Sequence, residues 1–287
     1  MTTEKSELFA MAKLKIAILN VGHGDFVYAV SPTGHNLIID CGDGEEIVPS
    51  KFLSKVASIS ELQVSHPHTD HFSDIAALST KTIHSFRTPN PNNFEEKLIG
   101  WRKSDSSAIR TLKSLYGKNK ADNNAVPFGG GFSHTVWNPT NVDFKDPNTA
   151  SLVTVLAFHD FKILFGADLP TAGWEALLKK DDFVKAIRGT TVYKVAHHGR
   201  KVGYSEALFK VISPMLCVIS DKTIDDTNEN TVATNYYSQK ASGALVANLP
   251  AGNNTRKVLT TRSDGSIFIE ADEKNWWVYK DTNWKSD

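Results

Sequence analysis

Six consecutive residues, His66-Pro67-His68-Thr69-Asp70-His71, constrain this chain more than any other stretch. They hold three imidazoles and a carboxylate, the ligands of borderline divalent metals such as zinc or manganese. His66 and His68 are two apart, so in an extended segment their side chains point the same way. Four such groups would crowd one ion. They suit two neighbouring ions, with His66 and His68 on one and Asp70 and His71 on the other. The competing reading is a histidine-rich surface turn. The chain has only ten histidines, which makes so dense a cluster unusual for a turn.

The flanking sequence supports ligation. Leu62-Gln63-Val64 ends a short buried strand, and 73–78 begins a helix, so the ligands sit on a loop between rigid elements. Upstream, strands are expected at 14–19, 26–30 and 37–39, each closed by a glycine-containing turn, with a helical segment over 47–58. Further strands are expected at 82–86, 135–137, 151–158, 162–165, 191–195 and 215–219. Helical spacing marks 94–115, 174–188 and 205–211. A last hairpin is expected from 258–261 and 266–270 across Arg262-Ser263-Asp264-Gly265. The pattern predicts two mixed sheets face to face with helices outside, and polar strand-end loops along one edge.

Composition sets bounds. The 287 residues fit one large domain or two small ones. We expect one domain, with a basic helical insertion at about 89–130 and an aromatic tail at about 272–287. Lys+Arg equals Asp+Glu at 32 each, so no global charge draws the chain to nucleic acid or membrane. Cys41 and Cys217 lie in apolar runs and read as buried hydrophobes. No segment has the length of a membrane span or the form of a signal peptide, so a cytoplasmic protein is expected.

Later strand ends complete the metal centre. Asp168 closes the strand before it, and its two oxygens could bridge two ions. His197 and His198 follow the VYKVA strand. Neighbours on an extended segment point opposite ways, so only one is a direct ligand, and the other orients a ligand or meets substrate. We place His197 on the metal and His198 on the catalytic side, with the exchanged arrangement open. Asp25 and Asp40 stand ready to orient ligands.

This combination resembles the metallo-β-lactamase superfamily through HPHTDH at 66–71, GAD at 166–168 and AHHG at 196–199. NVGHGDFVYAVSPTGHNLIIDCGDG at 20–44 is similar to the start of the hydrolase domain of ComEC-type DNA-uptake proteins. So are NTASLVTVL, KILFGADLP, YKVAHHGRKVGYSE and TRSDGSIFI, in order and spacing. The resemblance implies an α/β αββα sandwich. It implies His66 and His68 on the first metal, Asp70 and His71 on the second with His197 or His198, and Asp168 between them. Two positions depart from the family pattern. Asn148 stands where lactamase-like members have a histidine, and would contact metal or substrate. Residues 225–230 lack the histidine of a Tyr-Gly-His-Pro turn. His134 is a candidate replacement ligand.

The chemistry expected is hydrolysis by hydroxide held between two divalent ions, Zn or Mn, with Asp70 both ligating and accepting a hydrogen bond from the attacking water. No GxSxG elbow and no cysteine beside a base argues for covalent catalysis. Seven basic residues lie between Lys97 and Lys120 against one acid, Asp105. With Arg200 and Lys201 beside the histidine pair, they suit a phosphate backbone. The leading expectation is a phosphodiesterase, specifically a nuclease acting on DNA or RNA. The alternatives are a small-molecule ester, lactone or thioester hydrolase, and a non-catalytic module with a degenerate metal site. Trp276, Trp277, Tyr279 and Trp284 are expected to pack on the sandwich or to form a homodimer or partner contact.

Overall fold

Alternation of side chains along each strand decides which layer they enter. The structure is a computed structural model and describes residues 13–44, 46–89, 106–118, 128–139, 146–222, 234–247 and 254–280. The first strands are β1 (Leu14–Ile18), β2 (Val27–Val30), β3 (Asn36–Ile39), β4 (Ser58–Ile59), β5 (Glu61–Gln63), β6 (Thr82–Ile83) and β7 (Phe86–Arg87). Then come β8 (Phe132–Trp137), β9 (Val153–Phe158), β10 (Phe161–Phe165), β11 (Val192–Lys194) and β12 (Leu216–Ile219). The last are β13 (Ala244–Ala247), β14 (Thr255–Arg256), β15 (Val258–Thr260), β16 (Ile267–Ala271) and β17 (Trp276–Lys280).

These build a nine-stranded mixed sheet, ordered β14-β13-β17-β16-β1-β2-β3-β5-β7, and a six-stranded mixed sheet, ordered β15-β12-β11-β10-β9-β8. Strands β4 and β6 pair separately and in parallel. In β1, Leu14, Ile16 and Ile18 enter a core shared with Ile163 and Phe165 of β10, Val192 of β11, and Leu216 and Val218 of β12. Register keeps that face continuous, since Ile16 sits opposite both Ala29 and Ile269.

The residues between them turn the other way. Ala17, Tyr28, Ile38 and Leu62 join a second core. Around that core lie α1 (Pro49–Phe52), α2 (Thr69–Phe72), α3 (Ile75–Leu78) and α4 (Ser107–Lys118). Leu164, Tyr193, Cys217 and Ile219 join a third core. Its helices are α5 (Thr171–Leu177), α6 (Asp181–Ile187), α7 (Glu206–Phe209) and α8 (Thr234–Lys240). Helix α9 (Thr261–Asp264) links β15 to β16. No helix among the described residues is long and apolar enough to cross a membrane.

Several expected elements differ. The helix over 47–58 shrinks to α1, and the strand over 82–86 divides into β6 and β7. The hairpin over 258–270 does not form. Strand β15 pairs in parallel with β12 in the six-stranded sheet, whereas β16 lies between β1 and β17 in the other. The Thr260 hydroxyl caps α9 by accepting from the Ser263 amide, and this short helix diverts the chain between sheets. The aromatic tail supplies β17, an interior strand on which Trp276 packs against the shared core. Trp284 lies outside the described residues, as do 94–105 of the basic insertion.

Parallel pairs place successive loops at the same end. β3 with β5, β5 with β7, β10 with β11 and β11 with β12 are all parallel. Open α/β sheets bind ligands outside the carboxyl ends of such strands, and every expected ligand follows one. Fully buried Trp174 of α5 anchors this end, donating its Nε1–H to the Gly203 carbonyl at 3.2 Å. Trp174→Ala should destabilise the fold by about 3–5 kcal/mol, read as a lowered urea midpoint. A loss under about 1 kcal/mol would show that the site collapses around the gap.

Candidate metal centre

Backbone contacts shape the ligand loop before any side chain does. The Asp70 carbonyl accepts from the Asp25 amide at 3.2 Å, and the His71 carbonyl accepts from the Cys41 amide at 2.8 Å. The loops after β1 and β3 therefore grip α2. Gly42 lies against it so closely that a Cβ there would stand 1.9 Å from the Asp70 carbonyl oxygen. On the other sheet, a Cβ on Gly166 would meet the Ala196 Cβ at 2.8 Å. That close approach joins the Asp168 loop to the histidine pair, and the His197 amide donates to the Ala167 carbonyl at 2.8 Å.

The side chains converge. Asp70, His71, Asp168 and His198 offer one ligand atom each, all within 4.8 Å of one another. His66, His68 and Asp168 form a second such group. Asp168 belongs to both. Its Oδ1 lies 3.4 Å from His71 Nε2, and its Oδ2 lies 3.4 Å from His198 Nε2 and 3.8 Å from His66 Nε2. Asp70 Oδ2 stands 3.3 Å from His198 Nε2 and 3.5 Å from His71 Nε2. His66 Nε2 and His68 Nδ1 face each other at 3.0 Å. Asp70 and His71 ride on α2, which starts earlier than the helix expected at 73–78.

His198 and His197 exchange places relative to expectation. His198 is buried and in the cluster, whereas His197 is in neither group of ligand atoms. The expectation assumed an extended backbone. Here β11 stops at Lys194, and both histidines take positive φ, 53° and 51°. Asp40 and Ala167 also have positive φ, 62° and 47°. Strand ends at this site thus hold conformations costing of order 1–3 kcal/mol each.

Neighbouring groups set the ring orientations. His71 Nδ1 donates to Asp40 Oδ2 at 2.7 Å, and Asp40 also accepts from the Ser65 amide and hydroxyl. His198 Nδ1 donates to the Ser220 carbonyl at 3.0 Å. Both rings therefore point Nε2 into the cluster. There His71 Nε2, His198 Nε2 and Asp168 Oδ1 are buried with no hydrogen-bond partner. Behind His71, buried Lys194 pairs with buried Asp25.

The electrostatics call for positive charge. Burial pushes the Asp168 carboxyl up, but His198 and His71 outweigh it and hold it well below the usual range. Asp70 is likewise drawn down by His71 and His198 against burial. Burial disfavours the His198 cation, yet Asp168 and Asp70 push its pKa up to about 10. His71 is raised in the same manner by Asp168, Asp40 and Asp70. Burial, reinforced by His71, pushes His66 down. Buried carboxylates are compensated by cations. A divalent ion would supply such charge on this imidazole and carboxylate donor set, and the unpartnered Nε2 and Oδ1 atoms fit it.

The remaining expected residues divide. Asn148 is buried, its Oδ1 lacks a hydrogen-bond partner, and the Leu152 amide ties its loop to the Ser65 carbonyl at 2.9 Å. Half-buried Arg200 is close enough to bear on His23, His197 and Asp221, whereas Lys201 is exposed. Residues 225–230 lie outside the described residues. His134 is in neither ligand group. It accepts from Gln63 at 3.1 Å beside buried Glu61, which is paired with Arg87.

Two features escape the sequence reading. Lys194 gives no sign of burial within its strand. His23 also approaches the cluster, its Nε2 3.6 Å from Asp70 Oδ2 and its ring 4.7 Å from that of His198. A histidine between two glycines after a strand carries the same signal as the ligands, and it could have been found on that ground.

No family model matches the chain. No curated protein matches it. Solved structures do. CmlA, a diiron β-hydroxylase from Streptomyces venezuelae, is 12% identical, with 80% of this chain and 51% of that one aligned at a TM-score of 0.48. A mutant of the CmlA β-hydroxylase aligns over 71% and 45% at 12% identity and a TM-score of 0.43. A diphosphatase from the PhnP family aligns over 88% and 96% at 13% identity and a TM-score of 0.39. The chain spans about half the length of the two hydroxylase chains.

Two outcomes follow. Gly42→Ala should push Asp70 off the cluster, lowering stability by about 1–3 kcal/mol. It should also lower the metal retained after dialysis, measured by elemental analysis; full retention would show that the loop has room. The second concerns His134, which burial holds down to about 4. The unfolded chain binds its proton near pH 6.5, so stability should fall by about 3 kcal/mol as pH drops from 6.5 to 4. Urea midpoints of His134→Gln should lose that part of the slope, and an unchanged slope would assign it elsewhere.

Proposed function

We propose that this chain is a metal-dependent hydrolase of the metallo-β-lactamase superfamily, built as one αββα domain and cleaving phosphodiesters. The observation that carries the reading is Asp168, a buried carboxylate common to two ligand groups with unpartnered buried Nε2 atoms around it. His66, His68 and Asp168 would hold one divalent ion, and Asp70, His71, Asp168 and His198 the other. Such ions supply Lewis acidity and lower the pKa of water.

The chain's own residues do the rest. Asp40 and the Ser220 carbonyl fix the His71 and His198 rings. Asp70 Oδ2, drawn below the usual carboxylate range by His71 and His198, stays ionised and can accept a hydrogen bond from the attacking water. It lies 25% exposed at the mouth of an otherwise buried cluster. Arg200 near that mouth favours an anionic substrate, and Arg110 and Lys113 on the outer face of α4 supply further exposed cations.

The test is direct. Protein loaded with manganese or zinc should cleave DNA, RNA or bis-p-nitrophenyl phosphate. His68→Ala/Asp70→Ala should lower the rate by at least about a hundredfold, the scale of losing ligand-held metal chemistry. Cleavage of carboxylic esters with no action on any phosphodiester would replace this substrate class with the small-molecule one. Less than one metal bound per chain, with no activity on either panel, would remove the hydrolase reading.

A further inference from the structure

Beside the cluster lies a cavity of about 310 Å³, lined by Asn20, His23, Glu46, Lys222 and Arg262 among others. One side chain touches both the cavity and the cluster. His23 lines it and also stands 3.6 Å from Asp70 Oδ2. Lys222 and Arg262 arrive from different elements. Lys222 follows β12, two residues beyond the Ser220 carbonyl that fixes His198, and Arg262 lies on α9. Asp221 and Thr261 bind these elements together, since the Asp221 amide donates to the Thr261 hydroxyl at 2.9 Å and that hydroxyl donates to the Asp221 carbonyl at 3.1 Å.

The charges in the cavity are unequally spent. Arg262 Nη1 is 3.6 Å from Asp221 Oδ2, beyond hydrogen-bond reach, and that carboxylate oxygen is buried with no hydrogen-bond partner. Arg262 is thus the ion-pair partner of Asp221, but at this separation it gives that carboxylate no hydrogen bond, and its N–H donors remain able to meet a further acceptor. Glu46 is the one carboxylate of the lining; it, Lys222 and Arg262 are all exposed, so the lining carries two cations against one anion. Two flexible cations and an imidazole at one wall suit the oxygens of a phosphate.

We infer that this cavity is a second phosphate subsite, in which Lys222 and Arg262 hold a phosphate one sugar away from the scissile phosphodiester at the Asp70–Asp168–His198 cluster. The inference rests on the phosphodiesterase reading above for the identity of the reacting group, but the subsite binds through its own residues. It narrows the substrate class to phosphodiesters carrying an adjoining phosphate. Nucleotides and oligonucleotides have this feature, and simple aryl diesters lack it.

Two substrates separate the possibilities: thymidine 5′-(p-nitrophenyl phosphate) and the same compound bearing a 3′-phosphate. Manganese-loaded protein should prefer the 3′-phosphorylated form by roughly tenfold in kcat/KM, chiefly through KM, the scale of one charge-assisted contact. Lys222→Gln/Arg262→Gln should erase that preference, and Lys222→Arg/Arg262→Lys should restore most of it. Equal loss on both substrates, or no preference in the unaltered protein, would overturn the subsite. Binding supplies a readout free of catalysis. Thymidine 3′,5′-bisphosphate should bind the protein, measured by calorimetry with no metal added, roughly tenfold more tightly than it binds Lys222→Gln/Arg262→Gln. Equal binding would overturn the subsite. If the bisphosphate binds in this way while neither substrate is cleaved, the subsite stands and the hydrolase reading fails.

Discussion

Asp168 is a carboxylate taken almost wholly out of water, and the architecture around the site answers that fact. An isolated buried charge is prohibitively costly, so it must be met by positive charge and hydrogen-bond donors in fixed positions. Three imidazoles from two sheets meet it: His66 and His71 after β5, and His198 after β11. No single element could supply them. Bringing them together requires the carboxyl ends of strands from both sheets to lie side by side, which the shared core of Ile16, Ile163 and Val192 enforces.

That convergence is bought with backbone strain. Asp40, Ala167, His197 and His198 all adopt positive φ without being glycine. Each sits just past a strand that ends at the His/Asp cluster. Left-handed turns aim side chains that an extended backbone would point into the core or out to solvent. The cores on either side of the sheets stabilise the arrangement. Trp174, Phe183 and Tyr193 on one flank, and Phe72, Ile75 and Leu112 on the other, are fully or nearly fully buried.

The same physics explains what the sequence discloses. The HPHTDH run and Asp168 are legible because each is a compact polar group at the end of an apolar strand, and the structure brings them together. Which core each strand residue enters is not legible, because 216–219 is apolar throughout and only the structure sends Leu216 and Val218 to one core and Cys217 and Ile219 to another. The choice between His197 and His198 is not legible, because it depends on two φ angles that alternation cannot encode. The 258–270 segment misleads for another reason. A turn sequence between two apolar runs looks local, but parallel pairing of β15 with β12 is a long-range event that leaves no local signature. Lys194 is hidden for the same cause, because its partner Asp25 lies on the loop between β1 and β2, which belong to the other sheet.

The two halves of the centre are not built alike. Around His71 and His198, each ring has its Nδ1 committed to an acceptor, Asp40 or the Ser220 carbonyl, so each Nε2 is held in one direction. Asp40 is itself held by two donors from Ser65, and Asp25 with Lys194 closes the rear. Supports of this kind change metal affinity by about 10–100-fold. The ring of His66 is held differently. His66 Nδ1 meets only the Ser65 hydroxyl at 3.2 Å, already donating to Asp40, and His68 is half-exposed. Asp168 belongs to both groups of ligand atoms, so one buried carboxylate joins a pair of braced rings on one side to a partly exposed pair on the other.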